Sequence, residues 1–465
     1  MRASTRQRVV VALWTIGLLA ALLATPATTP SSAAIFERDP DGDLKTASAD
    51  ACPTIDRPPP MDAWFNISDL EQRGRSDPGQ EPWDFAKKIA QVVCGAAPKS
   101  EIKIGMYFTR ALGTMTASGL GPKPEADAEV IYAALEWVHA NRGVTIGLVQ
   151  DSSSSSTDES RVTRRLGRIA KLYWCTNGCF NTNPATVFPS AVIHEKFLTI
   201  SDTVWDNDRG SHPMVLSMSG NFARSQVRNY SQELTALYGD KKMLDLFEAR
   251  FDGMAHCAKT GCRTASGFPS GLRLTKQRNI WVDPIYRHYT DAGRGTSVSF
   301  SPQSQGARDF YIQQFDDVDC AVDPKIRIAM YKLTDAKALS MVNALVRLRD
   351  RGCDIKMLLT SPGGSAAISA SAAKLLRTAR IPTRCTTTAM HTKLILIGPA
   401  HGNSGRSLSG TQNMSVSGLR YNEEHVITMD TRRASAAYRE PIRRVYGEYL
   451  DGWYELSLQT RACPT

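Results

Sequence analysis

The stretch Val192-Ile-His-Glu-Lys-Phe-Leu-Thr-Ile200 recurs, with different apolar residues, as Ala389-Met-His-Thr-Lys-Leu-Ile-Leu-Ile397. In each copy a His-x-Lys triplet leads into a run of mostly apolar residues, which is typical of a buried strand. Residues two apart on a strand point to the same face, so an imidazole and an ammonium group are expected side by side. Packing requires only that apolar residues repeat, and unpaired buried charge is costly, so the repeated polar residues indicate a functional site.

Earlier segments repeat in the same order. Ile102-Lys-Ile-Gly-Met-Tyr107 matches Ile326-Arg-Ile-Ala-Met-Tyr331, and an amphipathic helix follows each strand. Each helix ends at an Arg-Gly pair, where Gly143 and Gly352 are expected to supply the left-handed residue after the last turn. A second strand then begins. The order strand, helix, strand predicts α/β layers with parallel pairing.

Later polar residues repeat as well. Asn221 and Glu233 follow the first triplet, and Asn413 and Glu424 follow the second. The two histidines are 197 positions apart and the two glutamates 191, so the repeated unit is about 200 residues long. We predict a duplicated domain, with the first copy over residues 35–285 and the second over 286–465.

The repeated residues suit cleavage of a phosphodiester. Of His194 and His391, one imidazole can attack phosphorus, and the other can protonate the leaving oxygen and then activate water. Lys196, Lys393 and the two asparagines can hold the non-bridging oxygens, whose negative charge grows during transfer. Each glutamate can hold an imidazole in one tautomer. Because the lysines supply positive charge, we expect no metal ion or other cofactor.

With these residues the chain resembles the phospholipase D superfamily, whose signature is HxKxxxxD followed by an Asn and a Glu. The spacing from Asn413 to Glu424 is the family's, and the first copy is one residue longer. The resemblance covers nearly the whole chain after residue 34. It implies two tandem α/β/α sandwich domains, related by a pseudo-two-fold axis, with one active site at their interface. It also implies that His194 is the nucleophile and His391 the general acid, although the residues alone do not rank them.

The chain departs from that signature at the aspartate. Ser201 stands there in the first copy and Gly398 in the second. In the family this Asp mostly supports the motif structurally, so the chemistry is expected to survive. Members specialised for tyrosyl-DNA links also lack it, which leaves a nucleic-acid substrate open.

The N-terminus predicts export. Three arginines (Arg2, Arg6 and Arg8) precede an apolar run over Val9–Ala24, and small residues continue to Ala34. This pattern indicates a signal peptide over residues 1–34. A retained anchor is the alternative, but the run is shorter than the roughly 20 residues of a membrane span. Cleavage would reduce the net charge of +10 to +7.

All ten cysteines follow this segment, and their even number predicts up to five disulfides in an exported protein. Cys175 with Cys179, and Cys257 with Cys262, are the expected local pairs. A zinc site is the alternative, but no C-x-x-C pair or suitably spaced histidine accompanies them. The pairing of the other six cysteines does not follow from the sequence.

The chain has 465 residues, of which 42% are hydrophobic, and this excludes a disordered protein. We expect a secreted phospholipase D-type hydrolase that cleaves phosphatidylcholine-like lipids at a membrane surface to phosphatidate and a free alcohol, through a phosphohistidine. A secreted endonuclease or general phosphodiesterase of the same superfamily is the alternative. No dense basic patch with interleaved aromatic residues, as expected for a nucleic-acid groove, is present. Both His-x-Lys pairs are intact, which argues against an inactive binding protein. We expect a monomer without a stable protein partner.

Overall fold

The computed structural model describes residues 52, 58–67, 84–110, 128–152, 163–182, 191–204, 211–223, 226–227, 230–264, 266–285, 287–289, 293–360 and 368–463. The signal peptide predicted over residues 1–34 lies outside these ranges. Among the described residues, no helix combines the length and hydrophobicity that a membrane span requires.

The helices follow in chain order: α1 (Asp84–Cys94), α2 (Glu129–Arg142), α3 (Lys241–Thr260), α4 (Phe310–Asp316), α5 (Asp335–Asp350), α6 (Ala370–Thr378), α7 (Val416–Arg420) and α8 (Ala436–Leu458). The strands of the first half are β1 (Met61–Asn66), β2 (Glu101–Met106), β3 (Thr109–Arg110), β4 (Thr145–Asp151), β5 (Ala170–Cys175), β6 (Lys196–Ile200), β7 (Met214–Met218), β8 (Phe222–Ala223) and β9 (Tyr230–Tyr238).

Twelve further strands follow: β10 (Thr275–Gln277), β11 (Ile280–Val282), β12 (His288–Tyr289), β13 (Arg294–Ser301), β14 (Lys325–Met330), β15 (Asp354–Leu359), β16 (Thr383–Thr386), β17 (Ala389–Met390), β18 (Lys393–Gly398), β19 (Arg406–Gly410), β20 (Glu424–Ala434) and β21 (Thr460–Arg461).

Two mixed sheets show the repeat directly. The first has the order β1-β9-β7-β6-β2-β4-β5, with β17 beside β9, and the second has the order β12-β13-β20-β19-β18-β14-β15-β16-β21. The seven strands β1-β9-β7-β6-β2-β4-β5 therefore match the strands β13-β20-β19-β18-β14-β15-β16 in the same order. β2 and β4 are parallel, and so are β14 and β15, as the sequence predicts. The predicted α/β fold class is confirmed, whereas the division at residues 285 and 286 stays a prediction.

The glycines that end the repeated helices have the predicted conformation. Gly143 follows α2 with φ of 63°, and Gly352 follows α5 with φ of 94°. An L-residue with a side chain rarely adopts such an angle, so glycine ends both helices with little strain.

Alternating residues of the motif strands face two different apolar clusters. In β6, Leu198 belongs to a cluster with α1 and α2, while Phe197 belongs to a cluster with α3 and α8. In β18, Ile395 packs with α5 and α6, and Leu394 joins the cluster of α3 and α8. Each sheet is thus covered on both faces, and the central cluster is shared by the two halves of the chain.

The structure pairs all ten cysteines. The two predicted local disulfides, Cys175–Cys179 and Cys257–Cys262, are present. The remaining six cysteines form the three pairs Cys52–Cys94, Cys320–Cys353 and Cys385–Cys463. Five disulfides are compatible with an extracellular protein, because such bonds persist in oxidising compartments.

Candidate active site

Both histidines lie immediately before a strand rather than on it, since β6 begins at Lys196 and β18 begins at Lys393. Each lysine nevertheless turns back toward its own histidine. Lys196 Nζ donates to the His194 carbonyl at 2.8 Å, and Lys393 Nζ donates to the His391 carbonyl at 2.5 Å. Lys393 Nζ also lies 3.0 Å from His391 Nδ1, so the ammonium and imidazole groups are adjacent in the second copy, whereas Lys196 contacts the backbone of His194.

The two histidines share one site. Their ring centroids are 6.1 Å apart, although they are 197 positions apart in the sequence. Backbone hydrogen bonds between the copies hold them there: the His194 N–H donates to the Glu423 carbonyl and the His391 N–H to the Ser231 carbonyl, each at 2.9 Å. Each motif segment is thus fixed to the strand that carries the glutamate of the other copy.

The two glutamates act differently, and the expectation that each one holds an imidazole is wrong for Glu233. Glu424 Oε2 lies 2.8 Å from His194 Nδ1, across the two copies. Glu233 Oε1 instead accepts the Lys393 N–H at 2.9 Å, at the first residue of β18. His391 Nδ1 is held by the Ser219 carbonyl at 2.7 Å. Lys393 Nζ lies 3.0 Å from the same Nδ1. A proton on Nδ1 satisfies the Ser219 carbonyl and leaves Nε2 for chemistry.

The two asparagines complete the predicted set. Asn221 and Asn413 are buried, and neither side-chain oxygen has a hydrogen-bond partner among the described residues. The Oε2 atom of Glu233 likewise has no hydrogen-bond partner among the described residues. Buried polar atoms are nearly always hydrogen-bonded in folded proteins, and these three atoms are acceptors, so each is suited to a donor such as a water molecule.

Burial dominates the electrostatics of the site. It lowers the pKa of His194 and of His391 well below the usual range, and the two motif lysines add to this effect. Burial also lowers the pKa of Lys196 to about 7 and that of Lys393 well below its usual range. A bound anion would stabilise all four protonated groups, so the site is suited to take up a phosphate group together with protons.

Burial likewise raises the pKa of both carboxyl groups, to about 7 for Glu233 and well above the usual range for Glu424. The described residues contain no group of three or more His, Cys, Asp or Glu side chains that could hold a metal ion. The lysines and histidines of the site can act as cationic partners of a bound anion.

These pKa shifts predict pH-dependent anion binding. Tungstate, a dianion at neutral pH, should bind about tenfold more weakly for each pH unit above 7, because Lys196 loses its proton there and binding must restore it. Isothermal titration calorimetry between pH 6 and pH 9 measures this, and a flat affinity would contradict the prediction. Lys196→Met should bind tungstate weakly throughout and lose most of the slope.

Two tyrosines that the sequence argument did not select flank the histidines. The Tyr107 ring lies 5.7 Å from His194, and the Tyr331 ring lies 4.6 Å from His391, measured between centroids. The motif lysines lie over the same rings, at 5.8 Å for Lys196 and 5.0 Å for Lys393. The sequence does contain a signal for these tyrosines, because each one ends a repeated strand segment.

The two residues that replace the aspartate of the signature, Ser201 and Gly398, each fit their local structure. Ser201 Oγ accepts the Glu101 N–H at 2.8 Å, beside the end of β6. A Cβ atom at Gly398 would lie 2.5 Å from the Tyr446 hydroxyl oxygen and 2.7 Å from the Ser404 carbonyl oxygen. Tyr446 occupies the space behind the second motif, so an aspartate at position 398 would not fit without rearrangement.

A buried ionic cluster lies behind the first triplet, and sequence reasoning missed it. Glu195, between His194 and Lys196, accepts a hydrogen bond from Arg250 Nε at 3.2 Å and pairs with His425 through its other oxygen. Ser217 Oγ lies 2.7 Å from His425 Nε2. The side chains of Glu195, Arg250 and His425 are fully buried. Adjacent residue pairs, 194 with 424 and 195 with 425, thus connect the two copies.

Residues 321–446 match the family model described as "Cardiolipin synthase, PLD-like domain", and this range includes His391, Lys393, Asn413 and Glu424. No curated protein matches the chain.

Among solved structures, phosphatidylserine synthase from Haemophilus influenzae is 11% identical, with a TM-score of 0.48 and coverage of 82% of this chain and 85% of that one. The phospholipase D family member Nuc from Salmonella typhimurium is 19% identical, with a TM-score of 0.29, over 37% of this chain and 98% of that one. Polyphosphate kinase from Porphyromonas gingivalis is 12% identical, with a TM-score of 0.43, over 78% of this chain, which spans half of that protein.

Proposed function

We propose that this chain, a member of the phospholipase D superfamily, is a secreted phospholipase D that hydrolyses phosphatidylcholine-like lipids to phosphatidate and a free alcohol. Enzymes of this superfamily catalyse phosphodiester hydrolysis or transfer. The observation that carries the proposal is the meeting of both His-x-Lys triplets in one buried site, with the two imidazole centroids 6.1 Å apart.

In the proposed reaction, His194 Nε2 forms a bond to phosphorus while the bond from phosphorus to the alcohol oxygen breaks. His391 gives a proton to that oxygen, so the free alcohol leaves. Glu424 Oε2, 2.8 Å from His194 Nδ1, accepts a hydrogen bond from that nitrogen and orients the ring so that Nε2 can attack. His391 then takes a proton from water, whose oxygen displaces His194 and gives phosphatidate.

The lysines and asparagines would hold the two non-bridging oxygens. Lys196 and Lys393 lie within hydrogen-bond distance of the carbonyls of the catalytic histidines, so both amino groups are held at the site, where a bound phosphate group would stabilise their protonated forms. Fixed charge requires no reorganisation as the transition state forms, and this is commonly the largest contribution to catalysis.

A direct assay distinguishes a lipid substrate from a nucleic-acid substrate. The protein without residues 1–34 is incubated with phosphatidylcholine vesicles and, separately, with supercoiled plasmid, both in EDTA. We expect release of choline and formation of phosphatidate, with the plasmid intact. Nicking of the plasmid without choline release would support the endonuclease alternative and contradict the lipase. His391→Ala serves as the inactive control in both assays.

A further inference from the structure

The two copies differ at the residue that follows the repeated tyrosine. The first copy has Tyr107 and then Phe108, whereas the second has Tyr331 and then Lys332. Both pairs follow equivalent strands, β2 and β14, and all four residues are partly exposed. The two ends of the site therefore also differ in charge, with an additional cation at one end and an aromatic ring at the other.

Lys332 lies at the His391 end. Its Nζ is 5.4 Å from the centroid of the Tyr331 ring, and that centroid is 4.6 Å from the centroid of the His391 ring. Its charge acts on both His391 and Lys393. Among the described residues, no carboxylate lies within ion-pair distance of Lys332. At the other end, Phe108 packs edge to face against Tyr107, with centroids 5.2 Å apart.

We infer that Lys332 selects substrates whose leaving alcohol carries a negative charge. This inference rests on the proposed function, in which His391 protonates the leaving oxygen and the alcohol therefore departs at the Lys332 end. There a carboxylate is attracted, which favours such a lipid over one whose leaving group carries only an ammonium group, such as ethanolamine, without preventing cleavage of the latter. Two unit charges about 5 Å apart interact strongly enough near a protein surface to change selectivity by about tenfold.

Two lipids that differ by one carboxylate test the inference. Dihexanoyl phosphatidylserine and dihexanoyl phosphatidylethanolamine have the same acyl chains and are used as monomers in solution, so attraction to a charged membrane surface does not contribute. Both are supplied together, and release of serine and of ethanolamine gives the ratio of the two kcat/KM values. We expect wild type to favour the serine lipid, and Lys332→Gln to lower the ratio about tenfold.

Two variants serve as controls. Lys332→Arg keeps the charge and should keep the ratio, and Lys242→Gln removes a charge from an exposed position on α3 and should leave it unchanged. An equal ratio for wild type and Lys332→Gln, or an equal fall for Lys242→Gln, would overturn the inference. Cleavage of both lipids without selectivity would contradict it while leaving the proposed function intact. If neither lipid yields phosphatidate, the proposed function is contradicted instead.

Discussion

Replacement of His194 by alanine should lower turnover of any phosphodiester by about 10⁴-fold or more, because no nucleophile then remains to form the covalent intermediate. His391→Ala should be equally damaging for substrates with a poor leaving group. Both histidines contribute to one site, with ring centroids 6.1 Å apart, so neither can compensate for the other.

The two variants should differ in their kinetics when the substrate has a good leaving group. With bis(p-nitrophenyl) phosphate, nitrophenolate leaves without protonation, so His391→Ala should release about one equivalent of nitrophenol rapidly and then stall as a phosphoprotein. His194→Ala should give no burst. Stopped-flow absorbance and mass spectrometry of the trapped protein measure this. His401→Ala, which removes an exposed histidine outside the repeat, is the matched control and should retain wild-type activity.

Two results would contradict this assignment. Near-normal turnover by either single variant would mean that the histidines do not form one shared site. A phosphoryl group that maps to His391 in the wild-type protein would reverse the two roles while preserving the shared site.

Local periodicity and the duplication made most of the fold predictable. The repeated strand and helix segments predicted parallel pairs that the structure contains, and the Arg-Gly signals predicted the ends of α2 and α5. The duplication also singled out eight polar residues, of which the structure brings the two histidines, the two lysines and the two glutamates together. These inferences required only the order of residues within each copy.

What the sequence could not provide was contact between the copies. Glu195 meets Arg250 and His425, which lie 55 and 230 positions away, and no periodicity encodes such distances. The role of Glu233 was mispredicted because the copies are not identical. The first has one more residue between its asparagine and its glutamate, and the carboxyl group reaches the Lys393 backbone instead of an imidazole.

The buried cluster behind the first triplet predicts a large effect on stability. Glu195→Gln leaves Arg250 fully buried without a counter-charge, and removal of one partner of such a pair typically costs about 3–5 kcal/mol in the free energy of unfolding. Urea denaturation at pH 7 measures the cost. Lys241→Gln removes one partner of the exposed ion pair with Asp245 on α3 and should change stability by less than about 1 kcal/mol.

The ionic origin of that cost can be tested in two ways. In Glu195→Gln/Arg250→Met neither charge is left alone, so the double variant should be less destabilised than the sum of the single variants.

Burial opposes ionisation of Glu195, but His425 and Arg250 outweigh it and hold its pKa below the usual 4.5. A lowered carboxyl pKa adds stability above the unfolded-state value and loses it as the pH falls through the folded-state value. The difference between wild type and Glu195→Gln should therefore narrow below about pH 4.5. A cost that is additive and independent of pH would show that Glu195 acts through packing alone.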